Sequence, residues 1–170
     1  MSRYFPHTAY AEDQPLAYTI LTTHVLTRGL TTGSLLGILA SSLRQVVPSY
    51  RRPGPALHRV LLSSSTGSLW GLGLTALATA GRMYGREEIE WKDRSWRLLE
   101  NKGQLEMDDW TYVGMGAATM AALGTGQVRM LRWRAVVGSM GLGGALGMVG
   151  SMVWRMGVNR GRFPDKGSDL

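Results

Sequence analysis

The stretch VLLSSSTGSLWGLGLTALATA, residues 60–80, runs for 21 residues without a charge or a proline. A bilayer hydrocarbon core about 30 Å thick needs about 20 apolar residues, each rising about 1.5 Å along a helix. The segment is therefore long enough to cross a membrane as one helix that satisfies its own backbone. Two more stretches repeat the pattern, residues 110–128 with 19 uncharged positions and residues 135–154 with 20. A fourth, residues 16–47, is interrupted by His24 and Arg28, and only 15 residues separate Arg28 from Arg44. That is about 22 Å of helix, so an arginine must reach back to an interface for this segment to span. Pro15 and Pro48 bracket it at either end.

The sequence thus predicts an all-α fold, a multi-span transmembrane bundle of four helices over 16–47, 60–80, 110–128 and 135–154. Residues 1–15 and 155–170 are tails, and 16–154 form the membrane domain. Between the second and third spans, 86–102 reads as a further helix. Glu88 with Lys92, Glu90 with Arg94 and Asp93 with Arg97 each place an acid four residues ahead of a base. Ile89, Trp96 and Leu99 share one apolar edge, which predicts an amphipathic helix lying at the membrane interface or against a partner.

Composition narrows the function classes. The 170 residues include 23 Gly, 10 Met and 6 Trp but no Cys, so disulfides, thiolate metal sites and cysteine nucleophiles drop out. Mean hydropathy is near zero because charged loops offset uncharged spans. The formal charge of +7 lies in short loops rather than along a helical face, which reads as a topology signal and not as a nucleic-acid site. Residues 1–15 lack the apolar core of a secretory signal and the arginine-rich, acid-poor character of a transit peptide.

Charge also orients the chain. Arg44, Arg51, Arg52 and Arg59 flank the first two spans, Arg129, Arg132 and Arg134 the last two, and neither loop contains an acid. The 12 acids all fall in the N-terminal segment, the 81–109 loop and the C-terminal tail. The positive-inside rule then puts the two acid-free loops inside and both termini opposite. Arg51, Arg52, Arg132 and Arg134 are candidates for contact with an anionic lipid such as cardiolipin.

Small residues recur every fourth position: Gly29, Gly33 and Gly37; Gly67 and Gly71; Ala118, Ala122 and Gly126; Ser139, Gly143, Gly147 and Ser151. Such ridges let helix backbones approach closely in lipid, within the chain or against a second one. Gly71, Gly73 and Ala76 match a dinucleotide fingerprint only formally, since no strand precedes them. His7, His24 and His58 are too scattered for a metal site. His24 and Arg28 lie one turn apart, and the expectation is that Arg28 snorkels outward or pairs with Asp108 or Asp109 rather than serving a proton relay. No catalytic residue, cofactor site or metal site is expected.

The segment GRMYGREEIEWKDRSWRLLENKGQLEMDDW at 81–110, with AEDQP at 11–15, resembles fungal accessory subunits of mitochondrial respiratory complex I, the NADH:ubiquinone oxidoreductase. That resemblance implies an inner-membrane location, other membrane subunits of the complex as partners, and a supernumerary, non-catalytic role in structure or assembly. Both termini would then face the intermembrane space. The four-span layout with glycine-rich helices is also similar to the Tim17/Tim22/Tim23 family, which implies a translocase or small transport component as the alternative. That family's Arg followed four residues later by Asp is not matched here, where Arg82 precedes Arg86 and Arg94 precedes Leu98.

Overall fold

The structure is a computed structural model and describes residues 4–51 and 53–161. The fold is all-α: the described residues contain six α-helices and no strand. These are α1 (Ala17–Val46), α2 (Ala56–Met83), α3 (Glu88–Glu100), α4 (Lys102–Gly124), α5 (Gln127–Leu131) and α6 (Trp133–Val153). Helix α1 pairs with α2, and α4 with α6, while α6 also lies against α2 and α1. Helix α6 is therefore the centre of the bundle. Its sequence suits that place, because GSMGLGGALG offers a small residue on every face that meets a neighbour.

Two helices, Ala56–Met83 and a continuous helical run over Trp133–Val158, are long and apolar enough to cross a membrane by length and composition. That is fewer than the four spans the sequence predicts. Helix α1 is 30 residues long but carries His24, Arg28 and Arg44. Helix α4 begins at Lys102, eight residues earlier than the predicted span, so its first turns hold Glu106, Asp108 and Asp109. It also stops at Gly124 rather than at 128. Gly126 adopts a left-handed φ of 72°, which only glycine takes at no steric cost, and it caps the helix while its N–H donates to the Leu123 carbonyl.

Burial follows two opposite rules in the two halves of the molecule. At one end, Ile20 of α1 and Leu99 of α3 are fully buried, with Phe5, Leu98, Leu105 and Tyr112 packed against them. This is the ordinary arrangement of a water-facing protein, with large hydrocarbon inside. Gln14 fixes the N-terminal segment there: it is fully buried, and its Nε2 donates to the Pro6 and Pro15 carbonyls at 2.8 and 3.1 Å. The Trp96 indole donates to the Thr8 carbonyl at 2.9 Å, and His7 stacks on the same ring. The apolar edge predicted on α3 is thus largely consumed inside the chain, through Trp96 and Leu99, while Ile89 stays exposed.

Along the rest of the bundle the rule reverses. Thr31, Thr111, Ser34, Ser64, Ser65, Ser68 and Ser139 are buried, whereas Leu36, Leu39, Leu69, Trp70, Leu74, Leu77, Val113, Met120, Leu146 and Val149 face outward. Small residues inside permit backbone-to-backbone packing, and the large ones are left for the surroundings.

Candidate functional site: a buried polar cluster above a glycine-packed bundle

The four-residue ridges meet one another in the structure. A Cβ on Gly33 would collide with the Gly67 carbonyl oxygen, and one on Gly67 with the Gly33 carbonyl oxygen. Gly29 and Gly71 stand in the same reciprocal relation, and Gly37 abuts Ser63 and Gly67. Between α4 and α6, Gly143 lies against Gly114 and Ala118, and Gly147 against the Trp110 backbone. Ala122, Ser139 and Ser151 are buried. Gly126 lies off this surface, in the left-handed turn with nothing within 4 Å of its missing Cβ. The ridge on α4 is Gly114, Ala118 and Ala122, one turn earlier than expected, because the helix ends before Gly126.

Other contacts fall outside the expected residues. Gly138 packs against the Leu61 backbone, Gly141 against Ser34, Ser64 and Ser68, and Gly144 against Thr31 and Met115. Hydroxyls add directed bonds across the same surfaces: Ser64 Oγ donates to the Gly138 carbonyl at 2.6 Å and lies 2.7 Å from Ser34 Oγ. Ser68 Oγ donates to the Leu30 carbonyl at 3.1 Å. The signal in the sequence is a second small-residue spacing of three, at Gly138, Gly141 and Gly144, overlaid on the spacing of four.

Where the two halves of the molecule meet, α1 and α4 are joined by long polar side chains. Asp108, with its side chain 1% exposed, accepts from Arg28 Nη2 at 2.5 Å and faces His24 Nδ1 at 3.1 Å. One oxygen goes to each base. An ionised carboxylate only accepts, so the second contact requires the proton on His24 Nδ1. Arg28 Nη2 also donates to Gln104 Oε1 at 3.2 Å, and Thr27 Oγ1 lies 3.4 Å from the Tyr112 hydroxyl. Gln104, Asp108 and Tyr112 are four apart, so one face of α4 supplies them all. The sequence left Arg28 either to snorkel or to pair with Asp108 or Asp109; the structure pairs it with Asp108, and the start of α4 at Lys102 sets Gln104 and Asp108 on the helix face that already held Tyr112.

The cluster has the geometry of a structural lock. Arg28 and His24 each contact Asp108, and no ionisable residue lies between Arg28 and Arg44 along α1 to extend a proton path. Among the described residues no group of three His, Asp or Glu side chains is placed to hold a metal. Of the four arginines considered for lipid contact, the three that are described have different surroundings. Arg134 Nη2 donates to Thr66 Oγ1 at 2.7 Å and to the Leu62 carbonyl, tying α6 to α2. Arg51 Nε donates to the Gln45 carbonyl at 3.0 Å. Arg132 takes a positive φ of 52° in the turn before α6, and Arg52 lies outside the described residues.

These features define a class: an all-helical bundle closed by glycine and serine contacts and fastened at one end by a buried ionic cluster. The chain belongs to the family described as protein of unknown function (DUF1757), whose model matches residues 9–153, from the N-terminal segment that packs on α3 to the end of α6. No curated protein and no solved structure matches the chain.

Proposed function

We propose that this protein is a four-span membrane scaffold, a non-catalytic structural or assembly subunit of mitochondrial NADH:ubiquinone oxidoreductase in the inner membrane. The observation that carries the membrane reading is the reversal of burial along the bundle: serine, threonine and glycine inside, leucine, valine, methionine and tryptophan outside. In water that surface would be a large aggregation liability. In lipid it is the expected outcome, because acyl chains are as apolar as leucine and association rests on close packing and hydrogen bonds.

The same reading accounts for the first helix. At 30 residues it is about 45 Å long, well over the hydrocarbon thickness. Its first turns belong to the end that has the Ile20–Leu99 core, and Arg28 and Asp108 then mark the bilayer edge. Trp110 and Trp154, with ring centroids 6.3 Å apart near that level, suit headgroup depth. Helix α3 rides above this edge on the N-terminal segment. The acid-free loops at the opposite end face the matrix, with Arg51 and Arg132 the arginines best left for cardiolipin.

The assignment to complex I rests on the resemblance of residues 81–110 and 11–15, and the scaffold role on the packing. The glycine faces of α1, α2, α4 and α6 are occupied by one another, which favours a scaffold over a translocation component whose small residues line a path. Mild detergent extraction followed by native-gel separation tests it. Comigration of the chain with NADH dehydrogenase activity is the expected result; a separate complex with presequence-binding activity would replace this proposal with the translocase alternative.

A further inference from the structure

The α1–α2 pair carries an open groove of about 630 Å³ lined by residues of those two helices. Its floor is the glycine contact line, where Gly33 meets Gly67 and Gly71, and its walls include Leu36, Trp70 and Leu74. All three wall residues are largely exposed. Thr32 and Trp70 stand on opposite walls at one level, because they adjoin Gly33 and Gly71, whose backbones touch.

That level lies inside the hydrocarbon of the membrane reading. Trp70 is 11 residues from Arg59 along α2, about 16 Å of rise, and Thr32 is 12 residues from Arg44 along α1, about 18 Å. In the other direction Thr32 is one turn inside Arg28. Indole rings prefer headgroup depth, as Trp110 and Trp154 do, and Trp133 opens α6 at the far end. Trp70, 69% exposed in mid-helix, breaks that pattern. Its N–H finds no acceptor among the described residues. The Thr32 hydroxyl is unpaired there as well, whereas Thr31, Thr66, Thr75 and Thr119 each donate to the carbonyl four residues back. A polar hydrogen held in hydrocarbon without an acceptor costs free energy. Two of them at one level of one groove call for an occupant that brings an acceptor to that level.

Depth and shape choose the occupant. Acyl chains offer no acceptor, and headgroup and ester oxygens lie outside the hydrocarbon core. Small-molecule sites enclose most of their ligand's surface, and this groove is open along its length. A helix meets both conditions. Gly67 and Gly71 are only partly covered by α1, so an incoming backbone can approach them closely, and a polar side chain on it completes the hydrogen bonds. A carboxamide suits the pair, since its oxygen accepts from the indole and the hydroxyl can both donate and accept. We infer that the groove seats a transmembrane helix of a partner subunit that carries Asn or Gln at the level of Thr32 and Trp70. This inference rests on the membrane reading above and gives the scaffold a contact surface of defined chemistry.

Photocrosslinking of the full-length protein in its native membranes tests the site, with benzoylphenylalanine replacing Leu36, Leu74 or, as a control off the groove, Leu146. The expected result is a polypeptide adduct from Leu36 and Leu74, with the crosslinked peptide in an uncharged run of about 20 residues that includes Asn or Gln. Leu146 should give lipid adducts only. Trp70→Phe and Thr32→Val should each lower the groove adduct about three-fold, as loss of one hydrogen bond between membrane helices does. Neither should change thermal unfolding of the isolated chain in detergent, because neither side chain is bonded within it. Lipid adducts alone from Leu36 and Leu74, or yields unmoved by both substitutions, would overturn the site and leave the membrane reading standing. An adduct to this chain's own sequence would overturn the partner subunit in favour of a second copy. A phosphatidylcholine carrying a diazirine on one acyl chain checks the membrane reading separately, since failure to label Leu77 and Val149 would overturn that reading itself.

Discussion

Arg28 and Asp108, 80 residues apart in sequence, form a charge-assisted hydrogen bond of 2.5 Å in which the carboxylate is almost wholly buried. It fastens α1 to α4, two helices that otherwise meet mainly through α6. Removing one member of a buried pair strands the other, which typically costs about 3–5 kcal/mol. Asp108→Asn should therefore lower the stability of the bundle by about 3 kcal/mol, measured by thermal unfolding in detergent. The Arg28→Gln, Asp108→Asn double variant should be less destabilised than the sum of the singles. Strict additivity would mean that the pair is not coupled.

Glycines divide into two groups with opposite expected behaviour. Gly33→Ala drives a methyl into the Gly67 backbone, and overpacking of this kind costs about 1–3 kcal/mol. Gly73 and Gly116 lie within α2 and α4, and an added methyl at either would have nothing within 4 Å. Alanine there should be neutral or stabilising by about 0.5–1 kcal/mol. Equal losses at Gly33 and Gly73 in the same unfolding assay would contradict the packing surface described above.

Ser64 bridges three helices, donating to Gly138 and meeting Ser34. Hydrogen bonds between membrane helices are worth on average about 0.6 kcal/mol and at most about 1.7. Ser64→Ala should fall in that range, and Thr66→Ala, whose hydroxyl accepts from Arg134, should weaken the same α2–α6 contact. A Ser64→Ala variant as stable as the parent would show that close packing alone holds this interface.

Topology can be read chemically because the chain has no cysteine. Tyr84 is 88% exposed between α2 and α3, and Ser49 is exposed between α1 and α2. In mitochondria whose outer membrane alone has been opened, Tyr84→Cys should react with an impermeant maleimide and Ser49→Cys should not. The reverse pattern would invert the orientation, and labelling of both would break the even number of crossings.

The sequence by itself determined the helical class, the approximate position of the long helices, the four-residue ridges and the separation of charge between the two ends. Each of these is local or periodic: a run without charge, a spacing of four, a proline or glycine stop. What it left undecided were properties that arise only when helices meet. Whether Trp96 and Leu99 face a bilayer or their own chain depended on Gln14 and Thr8 folding the N-terminal segment onto α3. The early start of α4 depended on Asn101, whose side chain accepts from the Gln104 N–H and caps the helix inside a charged loop. The third neighbour of α6, through Gly138, Gly141 and Gly144, depended on where α2 and α1 lie around it. A helical sequence shows which faces are small, but the choice of partner for each face belongs to the packing of all the helices together.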